Sequence, residues 1–265
     1  MVITVNNIKY QLDTDKKTAI VTGYKDELPT EIVIPEYIEY EDEKYKVTEI
    51  GDWAFRCRRS LTSIDIPNSV TSIGDRAFYW CDSLSSITIP DSVTFIGYLA
   101  FSYCSSLTSV IIPNSVTEIE NLAFSYCSSL TSVIIPNSVT EIGYDVFHKI
   151  GLTLPKRYTE DGKLIAYKAF NADMTCRDFQ YEEGKSYEIE EKIKCCYRGF
   201  HACTDLLDVF NYYIGEIGKD IVVHEVYLSG DIDEDNNDDS KICASKIEIG
   251  RRLTMKDINE IINSK

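Results

Sequence analysis

Leu99-Ala100-Phe101-Ser102-Tyr103-Cys104-Ser105-Ser106-Leu107-Thr108-Ser109-Val110-Ile111-Ile112-Pro113-Asn114-Ser115-Val116-Thr117-Glu118-Ile119 is followed by an identical copy over residues 122–142, a step of 23 residues. Outward from this pair, Ile-Pro recurs at Ile66-Pro67, Ile89-Pro90, Ile112-Pro113 and Ile135-Pro136. The same step carries Leu61, Leu84, Leu107 and Leu130, and Ile50, Ile73, Ile96, Ile119 and Ile142. It also carries Val47, Val70, Val93, Val116 and Val139, and Phe55, Phe78, Phe101, Phe124 and Phe147. Units this short cannot bury an apolar face alone. They must stack, so that equivalent residues form continuous inner columns.

The chemistry of one unit is legible. Ile64 and Ile66 alternate with Ser63 and Asp65, the pattern of a half-buried strand, and Pro67 ends it by removing a backbone donor. Val70 and Ile73 make a second extended piece, and Gly74 permits the turn after it. Ala77, Phe78 and Cys81 then read as one helical turn facing inward. Stacked strands should lie about 4.8 Å apart in a parallel ladder. Cys81, Cys104 and Cys127 form a column that reads as small buried apolar filler rather than as metal ligands or disulfide partners. The first unit supports this, because it has Arg58 in that column. Trp80, Tyr103 and Tyr126 either cover the turn or form a contact ridge. The outward positions of the strand face are Ser63, Asp65, Ser86, Thr88, Ser109, Ile111, Ser132 and Ile134. This face turns apolar toward its C-terminal end, where Ile111 and Ile134 predict a contact with another protein or with the second domain.

These columns resemble the BspA-type leucine-rich repeat of bacterial and protist proteins, over roughly residues 1–156. The resemblance implies a curved right-handed solenoid, and members of that family are often surface proteins that bind other proteins. The expected organisation is a cap and degenerate first repeat over 1–46, the solenoid over 47–156 and a further domain over 157–265. The cap is expected as two hairpins, one from residues 3–10 with 17–23 and one around Tyr37, Ile38, Tyr40 and Tyr45. Leu152-Thr153-Leu154-Pro155 is the expected last rung.

Composition narrows the function classes. The chain has 265 residues, a net charge of −16 and a pI near 4.6. Such acidity repels phosphate backbones and argues against nonspecific nucleic-acid binding. No stretch reaches the ~18 consecutive apolar residues of a membrane span, so membrane insertion is not expected. The N-terminal Met1-Val2-Ile3-Thr4-Val5-Asn6 lacks a basic run followed by an apolar core, so a cytoplasmic location is expected. Nine cysteines without framework spacing suit a reducing compartment.

Beyond residue 156 the period ends. Leu164–Phe170, Ser186–Ile189, Ile221–Leu228 and Ile242–Ile249 read as strands. Thr204 reads as the N-cap of a helix through Tyr213, and Thr254 as the N-cap of a final short helix. Strands and helices without regular alternation make this part, and the chain overall, α+β. The stretch Asp231 to Asp239 mimics a calcium loop at its first, third and fifth positions, but Asn236 and Ile242 break the pattern, so it reads as a solvated loop. Cys196-Tyr197-Arg198-Gly199-Phe200-His201-Ala202-Cys203, with Cys176 upstream, holds zinc-type donors at nonstandard spacing. It reads as a buried strand end, and neither metal nor cofactor is expected.

This region resembles a domain of unknown function from phage and bacterial proteins. The match rests on Thr175-Cys176-Arg177, Phe179-Gln180-Tyr181, Gly184-Lys185, Gly199 through Cys203, Leu207-Asp208-Val209, Tyr212-Tyr213 and Asp239 through Ile242. No activity follows from that likeness. A weaker one, through Gly199-Phe200-His201, Asn211-Tyr212-Tyr213 and Val223-His224-Glu225-Val226, is to ADP-ribosyltransferases. It implies a nicotinamide pocket, for which Lys168, Gly199, His201, Tyr212 and Glu225 are the candidate ligand-pocket residues. Lys168 stands where such enzymes keep Arg or His, and the catalytic glutamate has no clear counterpart, with Glu225 and Glu248 only near its place. The reading is therefore a non-enzymatic recognition protein. The alternative is a transferase-like enzyme or nucleotide-binding module targeted by the repeats.

Overall fold

The computed structural model describes residues 1–25, 29–152, 154–195, 198–211, 215–216, 221–234 and 240–264. They divide into two compact units. One comprises Met1–Val139 and Val146–Leu152, the other Thr140–Asp145 and the chain from Thr153 onward.

The first unit opens with an antiparallel meander of Val2–Val5, Ile8–Asp13 and Thr18–Tyr24. A hairpin of Tyr37–Tyr40 and Glu43–Ile50 follows. Asn6-Asn7 and Glu41-Asp42 occupy the two turns with positive φ, as tight two-residue hairpins require. Glu43–Ile50 pairs in parallel with Thr18–Tyr24 on one side and starts the repeat ladder on the other. Ile50, Ile73, Ile96 and Ile119 stand in register, one per rung. A second set of parallel pairs joins Glu31–Val33 to Ser63–Asp65 and Ser109–Ile111 to Ser132–Ile134.

Inside, the phenylalanines stack nearly parallel. Centroid spacings are 5.5 Å for Phe55–Phe78, 5.2 Å for Phe78–Phe101, 5.1 Å for Phe101–Phe124 and 5.8 Å for Phe124–Phe147. The cysteine column is buried beside them. Cys81, Cys104 and Cys127 donate from Sγ to the carbonyls of Phe55, Phe78 and Phe101 at 3.1, 3.3 and 3.2 Å. Polar columns repeat too, with Thr71, Thr94 and Thr117 each donating to the threonine carbonyl one rung back.

Two local expectations are corrected. The inward turn at Ala77-Phe78-Cys81 is not helical. Each unit carries two non-glycine residues with positive φ, four apart, as at Arg76 and Trp80 or Leu99 and Tyr103, which breaks any helix. The freed N–H groups of Phe55, Phe78, Phe101 and Phe124 donate instead to the next rung, at Ala77, Ala100, Ala123 and Val146, over 2.7–2.9 Å. This wall is therefore a ladder of its own. Nor does Gly74 serve a positive φ. A Cβ there would lie 2.8 Å from the Asp52 nitrogen, so glycine is needed for the close passage of the neighbouring rung.

The second unit is built on four strands, β1 (Leu164–Asn171), β2 (Phe200–Cys203), β3 (Ile221–Glu234) and β4 (Lys241–Arg252). All pairings are antiparallel and return on themselves. β1 pairs β3, β3 pairs β4, β4 pairs β2, and β2 meets β1 at Tyr167–Cys203. Leu164, Ala166, Phe170, Phe200, Ala202, Val226 and Ala244 share the core that this ring encloses. Helix α1 (Met255–Asn263) buries Ile258, Ile261 and Ile262 and is fixed by a reciprocal Thr254–Asp257 capping box.

Helix is otherwise sparse, so the α+β expectation meets a strand-rich unit. The helix expected from Thr204 is a single 3-10 turn over Leu207–Asn211. Asp205 rather than Thr204 caps it, accepting from the Leu207 N–H at 3.0 Å. The calcium-like stretch is corrected in part, since Asp231 and Asp233 lie within β3. Residues 235–239 fall outside the described residues, as does Thr153 of the expected last rung.

Candidate functional site

Two surfaces carry chemistry. The first is the strand face of the solenoid. Ile111 is 65% exposed and Ile134 42%, and the two sit side by side in the parallel register. Ser63 and Asp65 pair with Glu31 and Val33, and Ser109 pairs with Ser132, on the same kind of rung. Ser86 and Thr88 are exposed but lie outside any strand. On the wall formed by the turns, Tyr103 and Tyr126 stack at 4.5 Å with Trp80 at 5.4 Å from Tyr103. An arginine lattice, not anticipated from the sequence, extends this column. Arg76 lies 4.4 Å from both the Trp53 and Tyr98 rings, Arg56 4.5 Å from Trp53, and Arg59 5.1 Å from Trp80. The signal was present in Phe55-Arg56-Cys57-Arg58-Arg59, a basic run in an acidic chain.

The second surface is a cavity of about 750 Å³ in the C-terminal unit. Lys168 enters it from β1. Its side chain is only 6% exposed, and Nζ donates to the His201 carbonyl at 2.9 Å. The ammonium also lies 5.5 Å from the Phe170 ring and 5.8 Å from that of Tyr181. Burial pulls its pKa below the ordinary lysine value, against the opposing pull of the adjacent Cys176 thiol. His201 also borders the cavity. Burial first, then the charges of Lys168, Lys241 and Arg177, hold its ring down to about 4, so it is neutral at neutral pH.

Of the five residues expected in a ligand pocket, Lys168, Gly199 and His201 line this cavity. Glu225 does not. Its carboxylate accepts from the Tyr227 hydroxyl at 2.9 Å and lies 3.8 Å from Arg157. Glu248, the other glutamate considered, is bridged to Lys163 at 2.9 Å. Tyr212 lies outside the described residues, as do Cys196, Tyr197 and Tyr213.

The thiol and imidazole groups also gather differently from the set suggested by the motif. Cys195, His201 and Cys243 place their donor atoms within 4.8 Å of one another. Register sets His201 opposite Cys243, and the Lys194–Arg198 bridge folds Cys195 over them. Gly199, at φ +135°, is needed there because a Cβ would lie 3.0 Å from the Cys243 sulfur. Two thiols and an imidazole are donors of the type soft divalent ions take. Cys176 stands instead beside Lys168, and Cys203 opposite Tyr167.

A sequence profile for the BspA-type leucine-rich-repeat region, in six copies, matches residues 46–176. A leucine-rich-repeat protein from Bacteroides capillosus is 32% identical over 50% of this chain and 96% of its own, with a TM-score of 0.46. The chain belongs to the BspA-type leucine-rich-repeat proteins. A leucine-rich-repeat protein of T. pallidum is 34% identical over 55% of this chain and 66% of its own, with a TM-score of 0.50. A leucine-rich-repeat protein of Bacteroides ovatus is 32% identical over 56% of this chain, which spans 44% of that protein, with a TM-score of 0.48. Residues 164–261 of this BspA-type chain match a domain of unknown function, DUF7666. No curated protein matches the chain.

Proposed function

We propose that this protein recognises another protein through the strand face of its repeats, without catalysis, and that the C-terminal unit is a small α+β module attached to that reader. The exposed, in-register pair Ile111 and Ile134 carries the reading. Their inward neighbours Val110 and Val133 already fill the core, so these outward isoleucines are not needed to build it. Adjacent exposed aliphatic side chains on a regular backbone ladder form a flat apolar patch, and the serines and Asp65 along the same face make its polar surround. Each copy of the unit supplies one isoleucine of the pair, so the patch is a short row at the rung spacing, which suits a flat partner surface.

The experiment is quantitative capture from cell lysate with the full chain and with the I111D/I134D variant. Both positions point to solvent, so the variant keeps its far-ultraviolet spectrum and a cooperative melting transition, lowered modestly by the two like charges placed in register. A specific partner held by the unaltered chain should be lost from the variant. Equal recovery by a folded variant would move the recognition site elsewhere.

A further inference from the structure

Lys168 poses a chemical problem that the fold does not solve. An ammonium removed from water is costly unless a counter-charge and hydrogen bonds replace the lost hydration. Lys168 has one carbonyl, one neighbouring thiol and two ring faces. Among the described residues, no carboxylate forms an ion pair with it. The cavity it enters is cationic within a chain of net charge −16. Arg177 stands exposed on its lining and Lys241 is half-buried there. Of its two acids, Asp178 and Glu188, the second is already bridged to Lys246 at 2.8 Å.

The remaining walls are aromatic. Tyr181, Tyr187 and Phe179 meet edge to face or tilted at 4.6–5.3 Å, and Phe200 stands 6.4 Å from both tyrosines. Phe179 is 44% exposed although it borders the cavity, so part of its ring is left uncovered by the protein itself. A volume of about 750 Å³ lies within the range of pockets that enclose small organic ligands.

We propose that this cavity binds a small anionic ligand bearing a flat aromatic ring, with the anionic group seated against Lys168 and the ring against the Phe179–Tyr181–Tyr187 cluster. A carboxylate or a phosphate satisfies the same ammonium, and both offer Lys168 an anionic acceptor beyond the single His201 carbonyl. The ring supplies the apolar area that such walls cover.

The test is titration calorimetry of the full chain at physiological salt. The probes are adenosine monophosphate and indole-3-acetate, with adenosine and indole as their uncharged counterparts. At least one anion should bind once per chain, about tenfold or more tighter than its uncharged counterpart. The one that binds identifies the anionic group. Lys168→Met should remove that preference. Arg177→Gln, at an exposed position that the fold tolerates, should weaken the anion by a smaller factor of about threefold. Binding of neither anion would overturn the proposal. So would equal binding of the uncharged counterpart, or anion binding unchanged in both variants.

Discussion

Replacing Phe124 by alanine tests the repeat architecture at its most loaded point. The ring is fully buried and stacked on both faces, by Phe101 at 5.1 Å and by Phe147 at 5.8 Å. Burial of a phenylalanine and the cavity left by its loss place the cost at about 3–5 kcal/mol. The walls of that cavity are held by the ladder itself, through Phe101 N–H to the Ala123 carbonyl at 2.8 Å and Phe124 N–H to the Val146 carbonyl at 2.9 Å. They cannot close around the gap without breaking rungs, so the upper part of the range is expected. Trp53 and Trp80 are the only tryptophans in the chain and both lie in the first unit, so their fluorescence follows the solenoid alone during urea unfolding. With a slope of about 2–3 kcal/mol per molar, the midpoint should fall by about 1.5 M. Phe124→Leu, which keeps most of the volume, should shift it much less. A loss under about 1 kcal/mol, no larger than that of the exposed Tyr37→Ala in the same unit, would refute the stacked column.

Two further outcomes follow from the same physics. Cys81, Cys104 and Cys127 are fully buried, and burial pushes the Cys81 and Cys127 thiols up to about 12. A maleimide followed by mass spectrometry should therefore modify the exposed Cys57 in the native protein and those three only after unfolding. Asp205 is buried and its carboxyl is raised to about 6, by burial first, although the Leu207 and Leu154 N–H groups favour the charge. The folded state thus holds this proton more tightly than the unfolded one. Stability contributed here is full below about pH 4 and declines through pH 6 by at most roughly 3 kcal/mol. Asp205→Asn should flatten that part of the pH–stability curve, and an unaltered slope would show that Asp205 titrates normally.

How much of the molecule was legible in its sequence depended on period. In the solenoid each buried position is sampled four or five times, so Ile50, Phe55 and Leu61 announce their columns by recurrence alone. What repetition cannot convey is how a turn is made. Arg76, Trp80, Leu99 and Tyr103 take positive φ, although none is a residue type that favours it. Their conformation is set by hydrogen bonds to the next rung, which are contacts between units rather than properties of one. The sequence thus shows which residues face inward and leaves the local geometry of the wall, helical turn or ladder, undetermined.

The C-terminal unit has no period, and its site is assembled from distant segments. Lys168 was legible only as a poor replacement for a residue that transferases keep on their first strand. Its surroundings come from three places: the β2 backbone at His201, the Cys176–Tyr181 stretch and Tyr187 within Ser186–Glu188. Spacing in the sequence gives no measure of those distances, because the closure of β1 against β2 at Tyr167–Cys203 sets them. That closure also separates Glu225 from the cavity. Paired opposite Tyr167 on β3, it falls on the side of the sheet where Arg157 and Tyr227 meet it. Alternation along a strand therefore decides the chemistry. Lys168 and Tyr167 are adjacent in sequence and point to opposite faces, and Glu225, one of the two glutamates near the place of a transferase's catalytic residue, is aligned with Tyr167. What remains beside Lys168 is a cationic, aromatic cavity suited to holding a ligand. The glutamate on its lining, Glu188, pairs with Lys246 at 2.8 Å.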